Sequence, residues 1–209
     1  MRKKIIQLPR GYISYSQKEL WKASPERYAK VYFENLTPAP NSGQEYGKVV
    51  AEALEHSKET GDLLTDSAML LLPKYDVRDQ EIKTFLKTKE GEITVLGRPD
   101  MLNSTTKEFR EIKTGKIAWT ARKAQGHPQM RFYAMLIFLA YKVQLHDAYL
   151  DWIETEDTPK GIKPTGRVES FKVAFGMSDI LNEMAETSKV AKEIEVAFAS
   201  YIPDKKLQW

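Results

Sequence analysis

The chain has 209 residues, 42% of them hydrophobic and 29% charged, with a formal net charge of +3. That is enough apolar material for one folded domain with a small helical elaboration, and too little net charge for a globally basic nucleic-acid binder, so such a site has to arise from local clustering. The absence of cysteine excludes disulfides, thiol catalysis, cysteine-ligated zinc and thiolate-held iron–sulfur clusters, and it fits a reducing compartment.

In chain order, Arg2-Lys3-Lys4 is not followed by a long apolar stretch or a cleavage site, so no secretion signal is read. Ser16 and Glu19 have capping-box spacing and open a first helix. Ser24-Pro25 opens a second, with Ser24 as N-cap and Pro25 at the first helical position. Pro38, Pro40 and Gly43 mark a loop, and residues 44–60 read as a helix with Tyr46, Val49, Val50, Ala53 and Leu54 on one face and Gly61 as its stop. Strands are expected at 81–87, 92–100 and 107–113. A helix from Trp119 or Pro128 to Lys142 carries the stripe Met130, Tyr133, Ala134, Ile137, Phe138 and Tyr141.

A strand at 147–154 follows, then a polar loop containing Pro159, Gly161, Pro164 and Gly166, then a strand at 168–175. Ser178 is expected to cap a final helix with Leu181, Met184, Ala191, Ile194 and Phe198 inward. The tail Lys205–Trp209 is read as packing Trp209 on its own domain, with partner binding as the alternative. No run approaches the ~18 apolar residues of a membrane span, and an intracellular, cytoplasmic protein is expected.

The chemistry concentrates between Gly97 and Gly115. Pro99-Asp100 ends an apolar stretch, Asn103-Ser104-Thr105 forms a turn, and the chain returns through Glu111-Ile112-Lys113. Strand alternation puts Glu111 and Lys113 on one face and Ile112 on the other. A hairpin of this kind brings Asp100 close to Glu111. Two carboxylates hold a hard divalent cation that one binds poorly, and a lysine beside them favours attack on a phosphodiester.

This arrangement resembles the PD-(D/E)xK nuclease motif, and the element order resembles that superfamily's αβββαβ core: an α/β, restriction-endonuclease-like fold with a mixed central sheet flanked by helices and with N- and C-terminal helical additions. The corresponding division is 1–43 as an N-terminal helical segment, 44–175 as the core and 176–209 as the C-terminal helix and tail, all in one nuclease domain. Gln129 and Tyr133, four apart at the start of a helix, are similar to the QxxxY signature of the RecB-like and phage-type exonuclease branch. The segment Ser14–Tyr32 resembles that branch's opening segment, with Ser24 where relatives frequently have cysteine. In Tyr46–Glu55 the residues Gly47, Leu54 and Glu55 match a Gly-xxx-His-xx-Leu-Glu pattern, whereas Ala51 stands at the metal-binding histidine.

The resemblance implies a Mg²⁺-dependent deoxyribonuclease, with Mn²⁺ able to substitute and no iron–sulfur cluster. Asp100, Glu111 and the Ile112 carbonyl would hold the metal, with Glu52 as an alternative to the missing histidine. Lys113 would act on the attacking water, and Gln129 and Tyr133 would position Lys113 or the strand. The product would carry a 5′-phosphate. DNA contacts are expected from Ser14, Ser16, Lys116, Trp119, Arg122, Lys123, His127 and Arg131, since basic residues with an interleaved aromatic neutralise phosphates and stack a base. An exonuclease in DNA end processing, recombination or repair is expected, alongside a strand-annealing protein or helicase or as a homo-oligomer. The alternatives are a structure-specific or nicking endonuclease with the same site and a non-catalytic DNA-binding subunit.

Overall fold

The computed structural model describes residues 4–36, 39, 42–56 and 58–206, with the side chains of 54, 55 and 202–206 left aside. Pro38, Pro40, Leu54, Glu55 and the end of the tail, including Trp209, therefore lie outside the description. The elements are α1 (Tyr15–Ala23), α2 (Pro25–Tyr32), α3 (Ser42–His56), α4 (Leu63–Leu70), β1 (Val77–Arg78), β2 (Ile82–Lys87), β3 (Glu92–Gly97), β4 (Met101–Leu102), β5 (Phe109–Gly115), α5 (Ala121–Gln125), α6 (Pro128–Tyr141), β6 (Asp147–Thr158), β7 (Gly161–Ala174) and α7 (Met177–Lys206).

Five strands form a sheet in the order β1-β4-β5-β6-β7, in which β5 and β6 are parallel and the other pairs antiparallel. β2 and β3 form a separate antiparallel hairpin. With helices on both sides and helical additions at each end, this is the expected restriction-endonuclease-like architecture. The strand expected at 92–100 is broken. β3 ends at Gly97, and the chain passes through Arg98-Pro99-Asp100 into β4 and a different sheet. Proline has no N–H to give a ladder, so the crossing falls where the break costs least.

α6 is buried on nearly every face, including Met130, Phe132, Ala134, Met135, Leu136 and Ile137, and it packs on β2, β3 and α7. Each such side chain contributes on the order of 1.5–3 kcal/mol by leaving water. Pro128 starts the helix at its first position, and Lys142 ends it in the left-handed region at φ 60°. The N-terminal segment runs beside β3: the Ile13 N–H donates to the Thr94 carbonyl and the Leu96 N–H to the Ile13 carbonyl.

Several boundaries differ from the sequence reading. Ser14, not Ser16, caps α1, its hydroxyl accepting from the Gln17 N–H at 3.4 Å. Ser24 and Pro25 open α2 as expected. α4 was not anticipated. Its helical start is set by Asp62, which accepts from the Thr65 N–H, but its leucines follow no amphipathic period. The polar loop expected at 155–167 is instead the tip of a long β6–β7 hairpin, where Pro164 pairs opposite Thr155. β7 is an edge strand, where a missing donor is tolerated. Leu181 of α7 is exposed. The inward stripe runs through Ile180, Glu183, Thr187, Ala191 and Ile194.

Two buried ion pairs join distant elements. Lys18 of α1 is fully buried and bonded to Glu183 of α7, with Glu186 at 3.3 Å. Arg110 of β5 meets Asp151 of β6 in two parallel hydrogen bonds of 2.7 Å, with Ser170 as a further partner, and its guanidinium lies 4.4 Å from the Tyr149 ring centroid. Asp151→Ala leaves the Arg110 charge buried and unpaired. The expected loss is about 3–5 kcal/mol of unfolding free energy, measured by urea denaturation.

Candidate active site

The site forms where β5 runs past the end of β4. Met101 pairs with Arg110 and Leu102 with Phe109, so Asp100 arrives opposite Glu111. The Asp100 carboxylate accepts the Ile112 N–H at 2.6 Å, closing the ladder with a side chain where the backbone of β4 has left it. Ile112 uses its N–H on this flank, and the N–H and C=O of one strand residue project to the same edge. Its carbonyl therefore faces the same side as Asp100.

Glu111 is the hub. Its Oε1 accepts from Lys113 Nζ at 2.7 Å and from Gln129 Nε2 at 2.6 Å. Lys113 also donates to Gln129 Oε1 at 2.7 Å. An ammonium only donates, so the amide oxygen must face Lys113, which leaves the amide nitrogen for Glu111 and for the Tyr133 hydroxyl at 3.1 Å. Tyr133 in turn donates to the Arg98 carbonyl at 2.9 Å. Glu111, Lys113, Gln129 and Tyr133, all expected at the site, are thus one connected network spanning β5, α6 and the link between β3 and β4.

Gly97 makes this closure sterically feasible. A Cβ there would lie 2.8 Å from Leu136 Cδ2 and 2.9 Å from Tyr133 Cε1. Both neighbours are buried in the core, so neither has a free direction to yield.

The second Glu111 oxygen, Oε2, is buried and has no hydrogen-bond partner among the described residues. It borders a cavity of about 90 Å³ walled by Asp100, Glu111, Ile112 and Thr114 on the sheet side and by Gly47, Val50 and Ala51 on α3. Burial pushes the carboxyls of Asp100 and Glu111 above their usual range, and for Asp100 the neighbouring Glu111 pushes further. An orphaned carboxylate oxygen, like-charge crowding and a small cavity bordered by two carboxylates together fit a divalent cation with several retained waters. Asp100, Glu111 and the Ile112 carbonyl are the groups that would hold one. Ala51 reaches the cavity with no ligand atom. Glu52 points away: it is exposed and 3.6 Å from Lys48. Among the described residues no group of three or more histidine, aspartate or glutamate side chains converges.

The residues expected to meet DNA divide into two sets. Trp119, Lys123, His127 and Arg131 lie together beside Lys113. Lys123 Nζ is 4.2 Å above the Trp119 ring, and Trp119 and His127 are 5.1 Å apart. Burial, with the charges of Lys113, Lys123 and Arg131, holds His127 down at about 4, so the ring is neutral at physiological pH, and its Nδ1 is buried without a partner among the described residues. It occupies the N-cap position of α6 without making a side-chain cap. Ser14 and Ser16 sit at the start of α1 with their hydroxyls 3.2 Å apart. Arg122 is exposed on α5. Lys116 lies apart, bonded to Asp157.

Tyr15 belongs to the site and was not singled out from the sequence. Its ring lies 6.2 Å from His127 and 6.1 Å from Phe132. Burial first, then Glu19 and Glu111, raise its hydroxyl to about 12. Its position between two serines of an ordinary helix start carried no signal. Only the docking of α1 next to α6 reveals it.

No protein-family model matches this chain, and no curated protein matches it in sequence. Its fold is nonetheless similar to solved structures. A candidate exonuclease from Eubacterium rectale superposes over 88% of this chain and 83% of its own length, with 8% identity and a TM-score of 0.55. An alkaline exonuclease from Laribacter hongkongensis does so over 95% and 94%, with 14% identity and a TM-score of 0.50. The likeness is one of fold, and it agrees with the PD-(D/E)xK-like nuclease fold expected from the sequence.

Two outcomes are expected. Gly97→Ala forces Tyr133 and Leu136 apart and costs about 1–3 kcal/mol, read by urea denaturation. Asp100→Asn keeps an acceptor for the Ile112 N–H and removes one of the crowded charges. The fold holds protons on Asp100 and Glu111 more tightly than the unfolded chain does. Metal-free protein therefore loses stability as pH rises above the ordinary carboxylate range. In EDTA at neutral pH the variant should melt at a higher temperature than the wild type, a difference that shrinks in acid.

Proposed function

We propose that this chain is a metal-dependent DNA exonuclease acting in DNA end processing during recombination or repair. The observation that carries the reading is the pairing of Asp100 with a buried Glu111 whose Oε2 has no partner among the described residues, beside a lysine locked by Glu111 and Gln129. The likeness in fold to two exonucleases supports the choice of exonuclease over other phosphodiester chemistry.

A bound Mg²⁺ or Mn²⁺ would supply Lewis acidity toward the phosphate and lower the pKa of an attacking water. The rest is the work of the chain. Lys113 holds its ammonium against Glu111, one of the carboxylates that line the cavity. From there it orients a water through its lone pairs and offsets charge gathering on the phosphoryl oxygens. Gln129 fixes the direction of that ammonium, because its oxygen faces Lys113 and its nitrogen is tied to Glu111 and Tyr133. Tyr133, anchored on the Arg98 carbonyl, keeps Gln129 from rotating. Such preorganised donors cost no rearrangement when charge develops.

The test compares wild type with Lys113→Ala on end-labelled linear DNA and on closed circular DNA, with Mg²⁺, Mn²⁺ or EDTA. The expected result is metal-dependent loss of linear DNA alone, reduced on the order of 10²–10³-fold in the variant. Cutting of the circle would make the enzyme an endonuclease with the same site. Absence of cleavage by wild type under every metal would overturn the catalytic reading in favour of a DNA-binding subunit.

A further inference from the structure

Thr114 follows Lys113 in β5 and so points to the opposite face of the sheet, toward α3. It lines the cation-sized cavity and also a second, larger hollow of about 340 Å³ on the same side. The second hollow is bounded by Gln44 and Tyr46 of α3, by Gly115 and Lys116 at the end of β5, and by Ile162 of β7. Trp119, His127 and Arg131 lie with Lys113 on the other face, so this groove is separate from the basic and aromatic cluster already described.

We propose that this groove holds the nucleotide flanking the scissile phosphate on the α3 side of β5, and that Asp157 sets how tightly it is held. The proposal rests on the nuclease reading and adds a strand path to it. A phosphodiester seated against Asp100 and Glu111 belongs to a continuous strand, and Thr114 lines both hollows, so the next unit of that strand has only to pass Thr114 to reach the groove. The volume lies within the ~300–1,000 Å³ of small-ligand pockets. The lining suits a nucleotide. The Thr114 hydroxyl and the Lys116 ammonium are donors for a phosphate, while Tyr46 and Ile162 give apolar surface for sugar and base. Tyr46 is held by its hydroxyl contact to Thr65 at 3.2 Å, and stacking on an aromatic is indifferent to base identity. The floor is fixed: Trp152 donates to the Gly115 carbonyl at 3.0 Å.

Asp157 is the unexpected element. It belongs to the β6–β7 hairpin and bonds Lys116 at the rim, where both side chains are more than half exposed, at 69% and 52%. Such an exposed pair is weak and exchanges readily. A phosphate entering the groove takes Lys116 from Asp157 and meets the repulsion of the carboxylate it displaces. Asp157 thus competes with the substrate strand for one cation.

The test measures binding of a short fluorescein-labelled single-stranded oligonucleotide by anisotropy, in EDTA so that cleavage does not intervene. It uses wild type, Lys116→Ala, Asp157→Asn, the double variant, Thr114→Val and, as a control on α7, Lys192→Ala. Lys116→Ala and Thr114→Val are expected to weaken binding, and Lys116→Ala to lower the slope of log affinity against log salt by about one contact. Asp157→Asn is expected to tighten binding, and to lose that effect once Lys116 is alanine. Wild-type affinity and salt slope in Lys116→Ala and Asp157→Asn would overturn the groove while leaving the nuclease reading intact, since Lys113→Ala tests that separately. A tightening by Asp157→Asn that persists without Lys116 would overturn the competition. Failure of wild type to bind DNA would overturn the groove, while the nuclease reading stands or falls on cleavage in Mg²⁺ or Mn²⁺.

Discussion

The site depends on keeping two carboxylates close together in a place poor in water. Asp100 and Glu111 repel each other and lose hydration, and Lys113 neutralises only part of the charge. Left to itself, such a pair would swing apart or take up protons. Here it can do little of the former. Asp100 is bonded to the β5 backbone, Glu111 shares one oxygen between two donors, and the donors are fixed by Tyr133 and the Arg98 carbonyl. The strain is borne by α6, whose burial on nearly all faces supplies far more stabilisation than the crowded charges remove. The arrangement follows a general pattern: a rigid apolar element holds polar groups in a geometry they would not choose.

Much of this was legible because it is local. Glu111 and Lys113 share a face by strand alternation alone, and Gln129 and Tyr133 share one by helical spacing. The turn at Asn103–Thr105 fixes how Asp100 and Glu111 approach. Ser24-Pro25 marks a helix start whatever surrounds it. The failures are equally physical. Ser14 and Ser16 are both competent caps, and which one is used depends on where Ile13 docks against β3. Pro164 and two glycines read as loop because their effect on a strand depends on whether that strand lies at an edge, which no local window reveals. α4 is rich in leucine without amphipathic order, so periodicity had nothing to find. A helical stripe of apolar residues places Leu181 inward, whereas the buried stripe of α7 includes Glu183, which Lys18 meets from another helix, and Thr187, which donates to Glu183.

The remainder of the site comes from tertiary docking. Tyr15 reaches Glu111 and His127 only once α1 has packed, and Ala51 borders the cavity only once α3 lies over the end of β5. Ala51 was recognised in the sequence as a departure from the histidine of related chains. The structure gives the departure a place: a ligand-free wall that leaves the α3 side of the cavity to water. Glu52, the sequence alternative, is directed outward by the same helical turn that brings Ala51 in.

The bond between Lys18 and Glu183 joins residues 165 positions apart, and its consequence lies in time as well as in energy. A contact so distant in sequence forms only after the intervening chain has been organised. During synthesis α1 precedes α7, so Lys18 lacks its Glu183 and Glu186 partners until α7 exists. Ser14 and Tyr15, at the head of α1, therefore settle late, although they are synthesised before β5 and α6. The front wall of the site waits on the final helix, so a nascent chain lacking α7 carries the carboxylates and lysine of the site without the surface that frames them.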